Sequence, residues 1–200
     1  MLKKITLFSV CAFSAFAMNT AEININNKDL EIGGKFDIGQ FNDAVEPDTM
    51  FVGAKFLNAD ADHSDNEYAD LDPYFEANIL MMRPIGNAGM KIGMGAKVNF
   101  TKDFMSIPLG LEFAYKLPLK TFLPIALNGE LYYAPSVLSF SKAENFLEYR
   151  LSCDFEVIKH GNITLGYRSL DTNYKTNSYG LGGGDFTYNS YWYVGFKINF

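Results

Sequence analysis

The chain has 200 residues, 23 of them acidic and 17 basic, and it contains two cysteines. This length suits a single domain, and an acidic chain without basic clusters is unsuited to nucleic acid. After its first residues the chain has no continuous apolar stretch of the roughly 20 residues that a transmembrane helix needs. Because aromatic residues make up 16% of it, the remaining classes are a soluble β-protein and a membrane β-barrel.

The N-terminus has the pattern of a secretory signal peptide. Lys3 and Lys4 form a basic region, residues 5–16 form a short apolar run, and Ala15-Phe16-Ala17 is a small-x-small cleavage site. We predict cleavage after Ala17, with cleavage after Ala21 as the alternative. Removal of residues 1–17 leaves 183 residues with 15 basic and 23 acidic side chains, a net charge of −8. Cys153 is then the one cysteine left, which rules out an intramolecular disulfide.

Residues 18–200 consist of short segments in which apolar and polar side chains alternate, as in β-strands. Nine such segments run over residues 30–38, 50–56, 75–81, 90–100, 107–115, 125–133, 147–157, 163–168 and 192–200. Because bacterial single-chain barrels have an even number of strands, we add a short first strand over residues 22–26. The predicted fold is all-β: a transmembrane antiparallel up-and-down β-barrel of ten strands, with eight as the alternative.

The alternation places apolar side chains outside and polar ones inside, which is the reverse of a soluble barrel. The inward acids are Glu31, Asp37, Glu76, Glu112, Glu130, Glu148, Asp154 and Glu156, and the inward bases are Lys35, Lys55, Lys91, Lys97, Lys116, Arg150, Arg168 and Lys197. A buried charge is tolerated only when it is paired. We therefore predict a lumen filled by ion pairs between these groups, with aromatic girdles on the outer face from Tyr115, Tyr133, Tyr149, Tyr167 and Trp192.

The connections between the strands differ in length. Residues 58–72, 134–144 and 172–188 form long connections, and residues 83–88, 118–123 and 158–162 form short ones. Outer-membrane barrels have long extracellular loops and short periplasmic turns. The long stretches are therefore predicted to face outward and the short ones, with the C-terminus, to face the periplasm. Pro135 lacks a donor N–H and should end its strand at the outer rim, so that Val137, Leu138 and Phe140 cover the mouth or contact lipid.

The last strand, Tyr193-Val194-Gly195-Phe196-Lys197-Ile198-Asn199-Phe200, resembles the C-terminal signal that the barrel-assembly machinery reads. Gly195, Ile198 and Phe200 match that signal, and Tyr193 fills its first position loosely. Residues 129–141, Glu148-Tyr149 and Gly166-Tyr167-Arg168 resemble the YfaZ family of outer-membrane proteins. The resemblance implies a small barrel in the outer membrane of a Gram-negative bacterium, in contact with outer-membrane lipid and lipopolysaccharide. It brings no settled activity and no catalytic set.

Candidate chemistry in the sequence is sparse. The acidic loop over residues 58–72 includes Asp60, Asp62 and Asp65, which suits either a solvated loop or a divalent-cation site. His63 beside Ser64 is the nearest approach to a hydrolase site, without a positioned triad. We predict no cofactor, no metal and no enzymatic turnover.

The expected role is therefore that of a structural or surface-interaction protein of the envelope. A narrow channel is the main alternative and an outer-loop hydrolase a distant one. Five glycines are predicted to face the lumen, where they would leave a path for solutes or room for Lys and Arg side chains: Gly93, Gly95, Gly110, Gly166 and Gly195.

Overall fold

The structure, a computed structural model, describes residues 20–60, 64, 71–86, 89–119, 123–175 and 184–200. It consists of strands and two single turns of 3-10 helix, Ile38–Gln40 and Ser136–Leu138. The strands are β1 (Thr20–Ile25), β2 (Leu30–Asp37), β3 (Met50–Asn58), β4 (Tyr74–Ile85), β5 (Met90–Phe100), β6 (Phe104–Ser106), β7 (Leu109–Lys116), β8 (Ile125–Ala134), β9 (Ser139–Ser141), β10 (Ala143–Ile158), β11 (Gly161–Tyr174) and β12 (Gly184–Asn199). Within these residues no helix is long and apolar enough to cross a membrane.

The sheet closes on itself into an antiparallel barrel of ten wall strands. The last strand β12 pairs with the first strand β1, and the register joins Thr20 to Asn199. β4 pairs with β5 and completes the circle. The prediction of an all-β barrel with ten strands is thus confirmed, and the alternative of eight strands is wrong.

Two of the ten wall strands are interrupted, which is why twelve strands fill ten positions. β6 and β7 form one wall strand, which is broken at Ile107–Pro108. β8 and β9 form the neighbouring wall strand, which is broken at Pro135–Leu138. Proline has no N–H to donate to a ladder, so each break contains a residue that cannot donate, although the carbonyl of Pro108 still accepts from the N–H of Lys97 at 2.9 Å. Pairing resumes where the N–H of Ile107 donates to the carbonyl of Leu138 at 2.8 Å. Pro135 therefore ends β8 as predicted, but the strand continues beyond the break.

We call the end at which Thr20 meets Asn199 the terminal end and the opposite end the loop end. The terminal-end connections 86–89 and 159–160 are short, and positive φ angles at Gly86, Gly89 and His160 make them tight. A further terminal-end connection, residues 38–49, is long. Its two ends are tied by the buried carboxylate of Asp37, which accepts from the backbone N–H groups of Gly39 and Asp48 at 2.9 and 2.6 Å.

Long strands replace part of the predicted loops at the loop end. β11 continues to Tyr174 and β12 begins at Gly184, so both enter the stretch 172–188 that was predicted to be a connection. The stretch 134–144 likewise contains β9 and the start of β10. Residues 1–19, with the predicted cleavage after Ala17, lie outside the described residues. Cleavage after Ala21 would remove the first two residues of β1.

The outer face of the wall is apolar around the barrel. Met94 is 72% exposed, Leu151 62% and Trp192 61%. Lys97 and Arg168, in contrast, are each only 1% exposed inside the barrel. The predicted orientation of the two faces is therefore the one that the structure has.

Polarity reverses along β11 near Arg168. Towards the terminal end its outward residues Ile163 and Leu165 are apolar and exposed. Towards the loop end its outward positions are polar (Asp171 and Asn173), and its inward side chains Leu170 and Tyr174 are apolar and buried. The loop end of this strand therefore has the polarity of a soluble protein, with an apolar interior and a polar surface.

An apolar cluster, which we call the apolar cap, fills the lumen at the loop end. It consists of Leu57, Ala59, Tyr74, Phe104, Ala134, Ala143, Phe146, Leu170, Tyr174 and Tyr188. Phe104 is its centre, with ring centroids 5.8 Å from Phe146 and 6.2 Å from Tyr188. Leu138 packs against the cap, whereas Val137 is 75% exposed. The predicted cover of the mouth is therefore formed mainly by residues other than those of the Pro135 segment.

Candidate functional site

The middle of the lumen contains an arginine cluster. Both Nη atoms of Arg150 donate to the carboxylate of Glu31, each at 2.7 Å. Nη atoms of Arg168 lie 3.2 Å from the same carboxylate and 3.3 Å from that of Asp29. The Nε of Arg168 donates to Asn189 at 2.7 Å, and Asn189 in turn donates to Asp29 at 2.9 Å. Two guanidiniums and two carboxylates balance one another here, as burial in a narrow lumen requires.

A lysine cluster lies beside it. The ammonium of Lys97 is 2.8 Å from Glu148 and 3.2 Å from Glu130. Glu76 is its third carboxylate neighbour, at 3.3 Å. Lys55 lies 3.6 Å from Glu130. Together with Glu22, which lies 3.8 Å from Lys55, four carboxylates share two ammonium groups, and the second oxygen of Glu148 has no hydrogen-bond donor among the described residues.

A tyrosine ring fills the space beside two of the inward-facing glycines, Gly95 and Gly110, whereas a side chain at Gly93 would meet Leu80 and Met82. Tyr132 lies across Gly110, where an added Cβ would meet its Cγ and Cδ1 atoms at 2.5 and 2.6 Å, and its hydroxyl reaches Gly95. The Lys97 ammonium is 4.0 Å from the centroid of that ring, and the hydroxyl donates to Glu112 at 2.8 Å. Gly95 and Gly110 therefore accommodate a tyrosine of the neighbouring wall, not a solute path and not a Lys or Arg side chain.

Tyr193 has the corresponding position on the other side of the lumen. Its ring lies against Gly166, and the guanidinium carbons of Arg150 and Arg168 are 5.4 and 5.5 Å from its centroid. The electron-rich face of a tyrosine attracts such cations. The residue thus has a second role besides the predicted one in the C-terminal signal: it packs the arginine cluster.

Two ion pairs connect wall strands across the lumen towards the terminal end. Lys35 of β2 reaches Glu112 of β7 at 3.0 Å and joins two strands that are not neighbours in the wall. Lys197 of β12 lies 2.8 Å from Asp154 of β10. Asp154 also accepts a hydrogen bond from Thr164 at 2.6 Å. These pairs brace the wall without closing that end of the lumen.

A cavity of about 350 Å³, which we call the vestibule, occupies the terminal-end half of the lumen. Glu130, Arg150 and Tyr193 lie at its inner end, and Thr20 and Asn199 lie at its mouth. Beyond the inner end follow the charged clusters and then the apolar cap. Among the residues that the structure describes, the vestibule therefore opens at the terminal end and stops at the middle of the lumen.

The structure brings most of the predicted lumen residues into ion pairs. The members present in ion pairs are Glu31, Lys35, Lys55, Glu76, Lys97, Glu112, Glu130, Glu148, Arg150, Asp154, Arg168 and Lys197. Asp37 instead caps a turn. Lys91, Lys116 and Glu156 have no ion-pair partner in the part of the chain that the structure describes. All three lie near the terminal end, where the open lumen leaves side chains in contact with water.

Sequence reasoning missed two acids of the network. Asp29 lies in the turn between β1 and β2 and pairs with Arg168, and Glu22 lies 3.8 Å from Lys55. A turn residue has no alternation to mark it as inward-facing. For Glu22 a signal was available, because its strand was recognised but its faces were not assigned.

The remaining predicted sites are the C-terminal signal, Cys153 and the acidic loop with His63. Ile198 and Phe200 of the C-terminal signal are 36% and 53% exposed, and Gly195 allows the side chain of Asn24 to approach. Cys153 is partly exposed on β10 between Leu127 and Leu165. His63, Asp62 and Asp65 lie outside the described residues. Among the described residues no group of His, Cys, Asp and Glu side chains could hold a metal ion.

Comparison with known proteins bears on the whole chain. No curated protein matches it. The model of the family described as "YfaZ precursor" matches residues 2–200, which agrees with the resemblance of residues 129–141 and of the last strand. The chain with this closed ten-stranded barrel belongs to the YfaZ family.

Proposed function

We propose that this protein is an outer-membrane barrel of a Gram-negative bacterium with a structural or surface-interaction role and no enzymatic turnover. One observation carries the proposal: large apolar side chains such as Met94 and Leu151 are exposed, while charged side chains such as Lys97 are buried. In water this arrangement would be unfavourable at about 25 cal/mol for each Å² of apolar surface left exposed. In a bilayer it is the expected arrangement.

The orientation follows from the connections and from the polarity of β11. The terminal end faces the periplasm, and the loop end, with the polar outer positions Asp171 and Asn173, projects from the opposite side of the hydrocarbon layer. We assign the boundary between the hydrocarbon layer and water at the loop end to Tyr149, Tyr167 and Trp192, because aromatic side chains favour membrane interfaces. The three rings form one contiguous group, with 6.0 and 5.3 Å between centroids. Outer-membrane lipid and lipopolysaccharide are the proposed surroundings, and the barrel-assembly machinery is the proposed partner of the last strand.

Two layers oppose conduction. The apolar cap fills the loop end, and the paired clusters around Lys97 and Arg168 cross the middle. A narrow channel is the second candidate, because the vestibule already opens half of the lumen to one side. Its entrance residues carry both signs of charge, whereas an ion-selective pore usually carries a ring of one sign.

Planar-bilayer recording on the refolded protein separates the two candidates. We expect no discrete current steps over a wide range of voltage, and reproducible steps would replace the structural role by the channel. Localisation is tested separately by fractionation of the cell envelope, and solubility of the folded protein without detergent would overturn the membrane assignment. For the hydrolase, a surface activity lost on His63→Ala would contradict the absence of turnover.

A further inference from the structure

The vestibule has the dimensions and position of a binding pocket. Its volume of about 350 Å³ lies in the range of small-molecule sites, which occur in the mouths of β-barrels among other places. Its inner end is formed by Glu130, Arg150 and Tyr193, which are fixed by the clusters behind them. A solute that enters can therefore leave only by the way it came.

The wall of the vestibule presents both signs of charge in pairs. Lys35 is bound to Glu112, and Lys197 is bound to Asp154. An ion of one sign that approaches such a pair is attracted by one member and repelled by the other. A solute with both signs of charge finds a complementary group for each. The wall therefore favours a zwitterion over a simple anion or cation.

Two charges at the vestibule have no ion-pair partner among the described residues: Lys116 on β7 and Glu156 on β10. Both line the cavity; Lys116 is exposed and Glu156 is half-buried. The register places Lys116 opposite Ala126 of β8, and Ala126 opposite Asp154, two residues before Glu156. The two backbones are thus separated laterally by two strand spacings, or about 10 Å.

We propose that the vestibule binds a small zwitterionic solute of dipeptide size, with its carboxylate on Lys116 and its ammonium group on Glu156. An extended dipeptide spans about 7 Å, and the flexible Lys and Glu side chains cover the remaining distance. The opposite charges of a single amino acid lie too close together to reach both groups. The wall also offers amide and hydroxyl groups for the peptide unit, among them Asn162 and Thr164.

The proposal depends on the proposed function only for the compartment that supplies the solute, which would be the periplasm. Binding itself is a property of the folded barrel. Conductance in planar bilayers would overturn the structural role and leave binding unaffected. Loss of binding would leave the membrane assignment unaffected.

The test is a titration of the folded protein in detergent micelles, followed by saturation-transfer NMR. The probes are Ala-Ala, its C-terminal amide, which is a cation, and its N-acetyl form, which is an anion. We expect saturable binding of Ala-Ala and about threefold to fivefold weaker binding of either blocked form, since an exposed ion pair contributes up to about 1 kcal/mol. No saturation by Ala-Ala below about 10 mM, or equal binding of the three probes, would overturn the proposal.

Variants assign the two charges. Lys116→Gln and Glu156→Gln should each weaken Ala-Ala binding by about threefold to fivefold. The double exchange Lys116→Glu with Glu156→Lys should restore it, because the ligand can bind in the reverse direction. Lys91→Gln is the matched control, since Lys91 is half-buried, has no ion pair among the described residues and does not line the vestibule. Equal effects of Lys91→Gln and Lys116→Gln would contradict the assignment.

Discussion

The ring of Tyr193 lies in the space that a side chain at Gly166 would occupy, and its face is turned towards Arg150 and Arg168. We predict that Gly166→Ala lowers the free energy of unfolding by about 1–3 kcal/mol, the usual cost of overpacking. The added methyl group must displace the ring and with it the packing of both guanidiniums. The measurement is denaturant unfolding in detergent.

Gly129→Ala is the control for this substitution. Gly129 lies on β8, and an added Cβ there meets only Leu151, at 3.4 Å, an ordinary contact. Its free energy of unfolding should stay within about 0.5 kcal/mol of the parent. If both alanines cost the same, the effect at Gly166 comes from the loss of a glycine in a strand and not from Tyr193.

The lysine cluster should respond unequally to loss of its cation and loss of one anion. Lys97→Met leaves Glu76, Glu130 and Glu148 around an uncharged side chain, and we expect a loss of about 3–5 kcal/mol in unfolding free energy. Glu148→Gln removes one of four carboxylates that share two ammonium groups and keeps an oxygen towards Lys97, so its cost should stay below about 1 kcal/mol. Equal costs in denaturant unfolding would mean that the cluster does not carry an excess of negative charge.

The reversal of polarity along β11 predicts where a charge is tolerated on the outer face. Leu165→Arg introduces a guanidinium into the apolar band and should cost about 2–4 kcal/mol, whereas Asn173→Arg, on the same strand and face, should cost about 0–1 kcal/mol. The measurement is unfolding from lipid bilayers. A similar cost at the two positions would show that Asn173 also lies in hydrocarbon.

Deletion of Phe200 should affect assembly and not the finished fold. Phe200 follows the last paired residue, Asn199, and is 53% exposed, so the unfolding free energy of the refolded barrel should change by less than about 0.5 kcal/mol. The amount of protein in the outer membrane should fall clearly, because the proposed recognition signal loses its final aromatic residue. Phe41→Ala is the control: Phe41 is 66% exposed in the 38–49 connection and lies outside that signal. A deletion that leaves the outer-membrane level unchanged would contradict the role of Phe200.

The sequence predicted the two faces of the wall because alternation with a period of two is a direct consequence of strand geometry. The alternation predicted that Lys97 and Arg168 pair with inward carboxylates, whereas the tenth strand at residues 22–26 was added because bacterial barrels have an even number of strands. It could not say which acid meets which base, since those partners come from strands far apart in sequence.

The apolar cap could not be predicted from the same pattern. At Tyr174 and Tyr188 the apolar side chains turn inward, so the rule that apolar means outward fails there, and these residues were assigned to a loop. The breaks at Pro108 and Pro135 divide the signal of two strands further. Prediction was therefore reliable where the outward side chains of a strand are apolar along its whole length, and it failed where the polarity of the two faces reverses.

β12 has a consequence for the order of events when the protein forms. This one strand supplies Tyr188 to the apolar cap, Tyr193 to the arginines and the closing ladder to β1. Until β12 is in place, the apolar cap lacks Tyr188, the two arginines lack the ring of Tyr193, and β1 has only β2 as a neighbour. Docking of this one strand therefore closes the wall and completes the cover of the loop end together.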